Sequence, residues 1–253
     1  MSVLAGFVAA LADGDLELVD LTAPLSADTP VLRLPDQFGQ AHRFSLSEIS
    51  RYDERGPAWY WNNIATSEHT GTHLDAPVHW VTGRTGGDVA EIPVRRLVRP
   101  AAVLDLSAEA AADPDFLLQT GHVQGWIDRH GPLPAGGWLL YRTGWDARSG
   151  DEEQFLNGGR TPGIAPECAR WLAEQTPILG VGVETVGTDA GAAHGFDPPF
   201  PCHHELLGRG RYGLTQLRNL AHLPPTGSVL IVAPLPIVNG SGSPCRVLAL
   251  VPR

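Results

Sequence analysis

The stretch His69-Thr70-Gly71-Thr72-His73-Leu74-Asp75-Ala76-Pro77-Val78-His79 constrains this chain more than any other. It places three histidines and one carboxylate within eleven residues, among small residues that let the backbone turn sharply. His69 and His73 stand four apart, which on a helix would put both rings on one face, as in zinc-protease helices. The intervening Thr-Gly-Thr argues against that, because glycine and β-branched residues are poor helix formers. The better geometry bends at Gly71 and then runs extended, so that His73 and Asp75 point to the same side. His69 then swings in from before the bend and completes a set of two imidazoles and one carboxylate. Such a set binds a divalent metal and leaves positions open for water and substrate. His79 has the same parity, but Pro77 interrupts the alternation. The alternative is a chance histidine cluster on a polar loop, and the density of ligand types argues against it.

Composition removes whole classes of function. The net charge of −10 argues against nucleic acid or an anionic membrane as partner. All 18 basic residues are arginines. Without lysine there is no Schiff base, no P-loop lysine and no Ser-Lys dyad. Cys168, Cys202 and Cys245 are odd in number and scattered, which argues for a reducing cytoplasm rather than a disulfide framework. At 253 residues the chain is long enough for one substantial core, and it is read as one domain over 1–253. The apolar start, SVLAGFVAALADGD, lacks the positive region of a targeting signal and is too short to span a bilayer. It is expected to form a short amphipathic helix packed on the body or on a second subunit.

The motif H-T-G-T-H-L-D-A-P-V-H resembles the signature H-x-G-T-H-x-D-x-P-x-H of the cyclase-like metal-dependent hydrolases, and it matches at every fixed position. That family includes bacterial kynurenine formamidase, isatin hydrolase and some lactam-opening amidases. The resemblance extends over most of the chain and implies a swivelling β/β/α fold. From the chain itself, strands are expected in LELVDLTAPLS, AAVLDLS, GGWLLYRTGWD, PILGVGVET, GSVLIVAPLPI and RVLALV, and helices in GHVQGWIDRHG and APECARWLAEQT. They suggest a compact α/β body with a mixed, barrel-like β core and surrounding helices. GVGVETVG lacks the spacing of a dinucleotide loop, so no organic cofactor is expected.

In the formamidase branch, a histidine followed by two leucines, and a glutamate about twelve residues later, complete a second zinc site. His203, followed by Leu206 and Leu207, matches that histidine, but Thr215 and Gln216 stand at the glutamate's place. A neutral pair cannot offset a second divalent charge. One ion per chain, Mn²⁺ or Zn²⁺, is therefore expected. The T-Q-L version resembles the isatin hydrolase branch, which implies Gln216 as a ligand beside His69, His73 and Asp75.

The activity expected is hydrolysis of a small aromatic cyclic amide, an isatin-like lactam, by metal hydroxide with His79 as general base. Trp59, Trp61 and Trp80, which flank the motif together with Tyr60, are expected to wall a flat substrate, or to pack in a core or at a subunit boundary, and His203 to orient it. Arylformamidase activity on N-formylkynurenine is the alternative. A non-enzymatic, metal-stabilised binding protein is a weaker one, since structural zinc sites are closed and usually rich in Cys. The partners expected are a small molecule and further copies of the chain, as a dimer or tetramer.

Overall fold

Runs of valine, leucine and isoleucine mark the buried strands of this chain, and most of its strands enter one sheet. The computed structural model describes residues 2–253. Its first strands are β1 (Leu16–Asp20), β2 (Ser45–Asp53), β3 (Gly56–Ala65), β4 (His73–Asp75), β5 (Val98–Asp105) and β6 (Leu117–Leu118). The later ones are β7 (Trp138–Arg142), β8 (Gly163–Ile164), β9 (Gly180–Val183), β10 (Tyr212–Thr215), β11 (Ser228–Pro234) and β12 (Gly242–Pro252). The helices are α1 (Val3–Asp13), α2 (Ser107–Ala112), α3 (Thr120–His130), α4 (Glu152–Leu156) and α5 (Pro166–Gln175), with a π-helical turn over His203–Leu207.

The main sheet runs β1-β12-β11-β5-β7-β9-β10-β4, and β4 pairs back onto β12. Seven strands thus close a ring, with β1 attached outside it. Long β12 makes closure possible, because one of its edges serves two partners: Gly242–Pro244 pair with β4 and Leu248–Pro252 with β1. Strands β5, β7, β9 and β10 are parallel, whereas β4, β11 and β12 join antiparallel. Parallel neighbours need crossovers, and α3 and α5 lie in those connections. This is the mixed, barrel-like core with surrounding helices expected from the sequence.

Alternation splits the core into two layers. On β7, Trp138 and Leu140 pack with Leu74, Leu214, Val232 and Val247 in one cluster. Leu139 and Tyr141 pack with Val123, Trp126 and Leu172, under the helices, in the other. The strand is buried on both faces, which explains why it reads as a continuous apolar run. Helix α5 presents Cys168, Ala169, Leu172 and Ala173 to the second layer, and Pro166 starts it where no backbone N–H is needed.

Two segments stand apart. Strands β2 and β3 form their own two-stranded sheet, almost wholly exposed on both faces. Register shifts near Ser50 and Asp53 interrupt the alternation of β2, so this hairpin is not evident from residue pattern. The expected N-terminal helix exists, capped by Ser2 and ended by Gly14, but it buries none of its residues.

At the end of β9, Glu184 is buried and accepts hydrogen bonds from the backbone N–H groups of Thr143 (2.7 Å) and Gly144 (2.6 Å). Burial, helped by nearby Asp146, outweighs those bonds and pushes its pKa from 4.5 to about 7. The folded chain therefore holds this proton more tightly than the unfolded chain does. Its contribution to stability is complete below pH 4.5 and is lost as pH rises through 7. Glu184→Gln keeps a carbonyl oxygen for the two N–H groups and cannot ionise. Between pH 4.5 and 7 the variant should gain on the wild type by on the order of 3 kcal/mol, read by denaturant melts at each pH. A difference that stays constant over that range contradicts this assignment.

Candidate metal centre

The site begins at the bend. Gly71 adopts φ 67°, a conformation that favours glycine, and the chain then runs extended as β4. Short as it is, β4 is paired on both edges, with β10 and with β12. Both cross-strand partners of Asp75 are glycines, Gly213 and Gly242. A Cβ on Gly213 would lie 2.8 Å from Asp75 Oδ2, and one on Gly242 would lie 2.5 Å from His69 Cε1. The two neighbours therefore lack side chains where the carboxylate and the imidazole need space.

The donors converge on one oxygen. His69 Nδ1 lies 2.8 Å from Asp75 Oδ1 and His73 Nε2 lies 3.4 Å from the same atom. The far nitrogen of each ring is anchored. His69 Nε2 is 2.9 Å from Ser241 Oγ, which donates to Glu68 at 2.6 Å, and His73 Nδ1 donates to Gly71 O at 2.7 Å. Ligating imidazoles are commonly held through their second nitrogen in this way, which aims the first at the ion. Thr215 Oγ1 also touches the His73 ring, 2.9 Å from Nδ1.

His79 lies on the one-turn 3₁₀ helix Pro77–His79, and its ring stacks on His69 with centroids 3.9 Å apart. One potential ligand atom from each of His69, Asp75 and His79 falls within 4.8 Å of the others. Donors of this type around a buried carboxylate, with His73 Nε2 on the same oxygen, fit a divalent cation.

Electrostatics set the protonation states. Burial works to raise the pKa of Asp75, but the His73 and His69 rings prevail and hold the carboxyl well below the ordinary range. Burial lowers His79 to about 3, and the nearby imidazoles add to this against the attraction of Asp75. His79 is therefore neutral at pH 7, with a lone pair on one ring nitrogen. For His203 burial also works downward, but Asp189 prevails and raises the pKa. The Asp189 carboxylate is 2.5 Å from His203 Nδ1 and accepts from Cys202 N at 2.7 Å. It thereby fixes both the imidazole and the start of the π-helical turn, leaving His203 Nε2 facing Asp75 Oδ2 at 3.9 Å.

A cavity of about 340 Å³ opens over these groups, lined by His69, His73, Asp75, His79, His203 and Thr215 and by apolar Leu32, Leu34 and Val186. Three expectations do not match the placement of residues in the single chain. Gln216, expected as a ligand, lies in a neighbouring cleft with Arg218, and its amide nitrogen donates to Pro30 O at 3.3 Å. Strand β10 ends at Thr215, which lines the cavity, and Gln216 turns away after it with φ 52°, in the left-handed region. Trp59 and Trp61, expected to wall the substrate, lie on the exposed hairpin and do not line the cavity. Trp80 packs behind the site, 4.9 Å from the His203 ring and 5.5 Å from Phe200, where it supports imidazoles rather than lining the cavity. Sequence reasoning missed Asp189, Glu68 and Ser241, whose partnerships form only through the fold.

Comparisons with known proteins agree with this geometry. The Cyclase family model matches residues 19–190. An isatin hydrolase from Roseibium aggregatum is 45% identical, covering 100% of this chain and 98% of its own. A kynurenine formamidase from Salinibacter ruber is 32% identical over 74% of this chain and 77% of its own. The solved structure of an isatin hydrolase bound to the product analogue thioisatinate superimposes with a TM-score of 0.96 at 44% identity, covering 100% of both chains. The fold is thus shared over the full length, and this chain belongs to the cyclase family of metal-dependent hydrolases.

Proposed function

We propose that this chain is a metal-dependent amide hydrolase that opens the five-membered lactam of isatin or a close analogue. The observation that carries the reading is the convergence of His69, His73 and Asp75 beneath a cavity that also receives His79 and His203. Full-length similarity to a protein named isatin hydrolase, and to one solved with thioisatinate, supports this substrate over N-formylkynurenine.

His69 Nδ1, His73 Nε2 and the Asp75 carboxylate would hold one divalent ion, Mn²⁺ or Zn²⁺. Gln216 stays with Pro30. When bound, the ion acts as a Lewis acid and lowers the pKa of water toward neutrality. Neutral His79 takes the proton from the attacking water and returns it to the ring nitrogen as the C–N bond breaks, leaving a carboxylate and an aniline. His203, steadied by Asp189, presents Nε2 to the substrate's oxygen atoms. Leu32, Leu34 and Val186 give the flat ring an apolar bed. Three free, buried cysteines suit a cytoplasmic setting, and among the described residues no helix is long and apolar enough to cross a membrane. The chain acts as a homo-oligomer.

Two experiments check this. Metal analysis of protein purified without added metal should give about one divalent ion per chain. His73→Ala should lose it, whereas His79→Ala should keep it while kcat falls by roughly 10²–10⁴. Two ions per chain, or equal metal loss in both variants, contradicts the assignment. The second compares kcat/KM for isatin, a simple γ-lactam and N-formylkynurenine on the same metal-loaded enzyme. Isatin should be preferred, and a preference for N-formylkynurenine reverses the substrate reading.

A further inference from the structure

Residues 31–43 lie outside every helix and strand, yet Leu32, Leu34, Gly39, Gln40 and Ala41 among them line the candidate metal cavity. The segment is a strap fixed at both ends. At its start Val31 is buried, and the preceding Pro30 O accepts from Gln216 Nε2 at 3.3 Å. At its end His42 O accepts from Ser67 N (3.0 Å) and from Thr70 Oγ1 (3.3 Å), which ties the strap to the metal motif itself. Arg33 pairs with Glu153 and Arg43 with Glu152, both at 2.6 Å, at the start of α4. Exposed ion pairs each add little, so the anchoring falls mainly to the hydrogen bonds.

Between those ends, Gln40 is the only side chain among the described residues that hydrogen-bonds the backbone of 34–39. Its Oε1 accepts from Leu34 N at 3.2 Å, and its Nε2 donates to Leu34 O at 3.0 Å and to Phe38 O at 3.1 Å. The carboxamide thus meets Leu34 in both directions, much as a neighbouring strand would. A turn closed by Phe38 N, which donates to Pro35 O at 2.9 Å, completes the loop. Leu34 is therefore clamped through its backbone where its side chain reaches the cavity. Leu32 and Leu34 stay 48% and 38% exposed, open to a ligand. Gln40 has its polar atoms engaged with the loop, so it offers a ligand its methylenes. Arg33 and Arg43 pair with α4, and neither lines the cavity. A charged group brought against the strap is desolvated without a partner, which is costly, whereas a flat neutral ring gains apolar contact.

We propose that Gln40 determines specificity: by holding Leu34 it sets an apolar wall against which a neutral aromatic ring binds and a charged tail does not. It acts through Leu34, as a positioning residue, and leaves the metal donors and His79 untouched. The ring-opening part rests on the amide hydrolase reading above; the binding of a neutral ring does not.

Wild type, Gln40→Ala and Gln40→Met, each loaded with metal, test it. Methionine keeps the length and methylenes of glutamine but cannot pair with the Leu34 backbone. One hydrogen bond of ordinary net strength is worth about fivefold in binding, so both variants should raise KM for isatin by about that factor, with kcat and metal content unchanged. A simple γ-lactam has no aromatic ring to lose contact, and its kcat/KM should hardly move. The preference for isatin over it should therefore fall about fivefold. A defect of folding or metal loading lowers both substrates alike, and that result overturns the assignment. So does a Gln40→Met enzyme that matches wild type, which would leave Gln40 as wall area alone. Indole, a flat neutral ring with no amide to cleave, separates this from the substrate reading. Titrated calorimetrically onto the same proteins, it should bind the wild type and bind both variants about fivefold more weakly. No binding by the wild type, or one Kd for all, overturns the role of Gln40 even if isatin is hydrolysed. Weakened indole binding on an enzyme that leaves isatin intact overturns only the substrate reading.

Discussion

The buried carboxylate of Asp75 is the constraint on which the rest of this structure depends. A charge taken out of water is costly unless paired, and here it sits fully enclosed between two strands with imidazoles around it. The same three residues that carry the charge close the β ring, since β4 alone joins β10 to β12. Ring closure and ligand placement are therefore one event. Glycines 213 and 242 follow from it, as the positions where a neighbouring strand must have no side chain.

Around that centre the protein divides two kinds of work. The rings of His69 and His73 are fixed from behind by Ser241 and by Gly71 O, so their free nitrogens are aimed before any ion arrives. His79 is held by stacking instead and is kept neutral by burial, so a ring lone pair is free at neutral pH. His203 differs again, with Asp189 holding one nitrogen and the other turned to the cavity. Four histidines of one residue type thus acquire separate roles from what touches each ring.

The dense part of this site was legible in the sequence because ligand types, a glycine bend and strand parity all lie within eleven residues. The buried strands were legible for a similar reason: each is a continuous apolar run between turn residues. Asp189 was not, because it stands fourteen residues from His203 in a loop with no pattern of its own. Gln216 entered through family resemblance, and the left-handed turn after Thr215 that carries it away from the cavity has no glycine to announce it. The aromatic residues before the motif were visible, but their pattern does not say that Trp59 and Trp61 lie on an exposed hairpin away from the cavity. The hairpin that carries them was hidden by its bulges.

The central claim is that the Asp75 carboxylate is placed to hold a cation. Thermal unfolding of metal-free wild type and Asp75→Asn, each titrated with Mn²⁺ or Zn²⁺, tests it most directly. Binding to the native state alone stabilises by RT ln(1 + [L]/Kd), about 2.7 kcal/mol at a hundredfold excess over Kd. The wild-type Tm should climb with metal, while the variant, which lacks the carboxylate, should not respond. A variant that still climbs in parallel with the wild type would contradict the account.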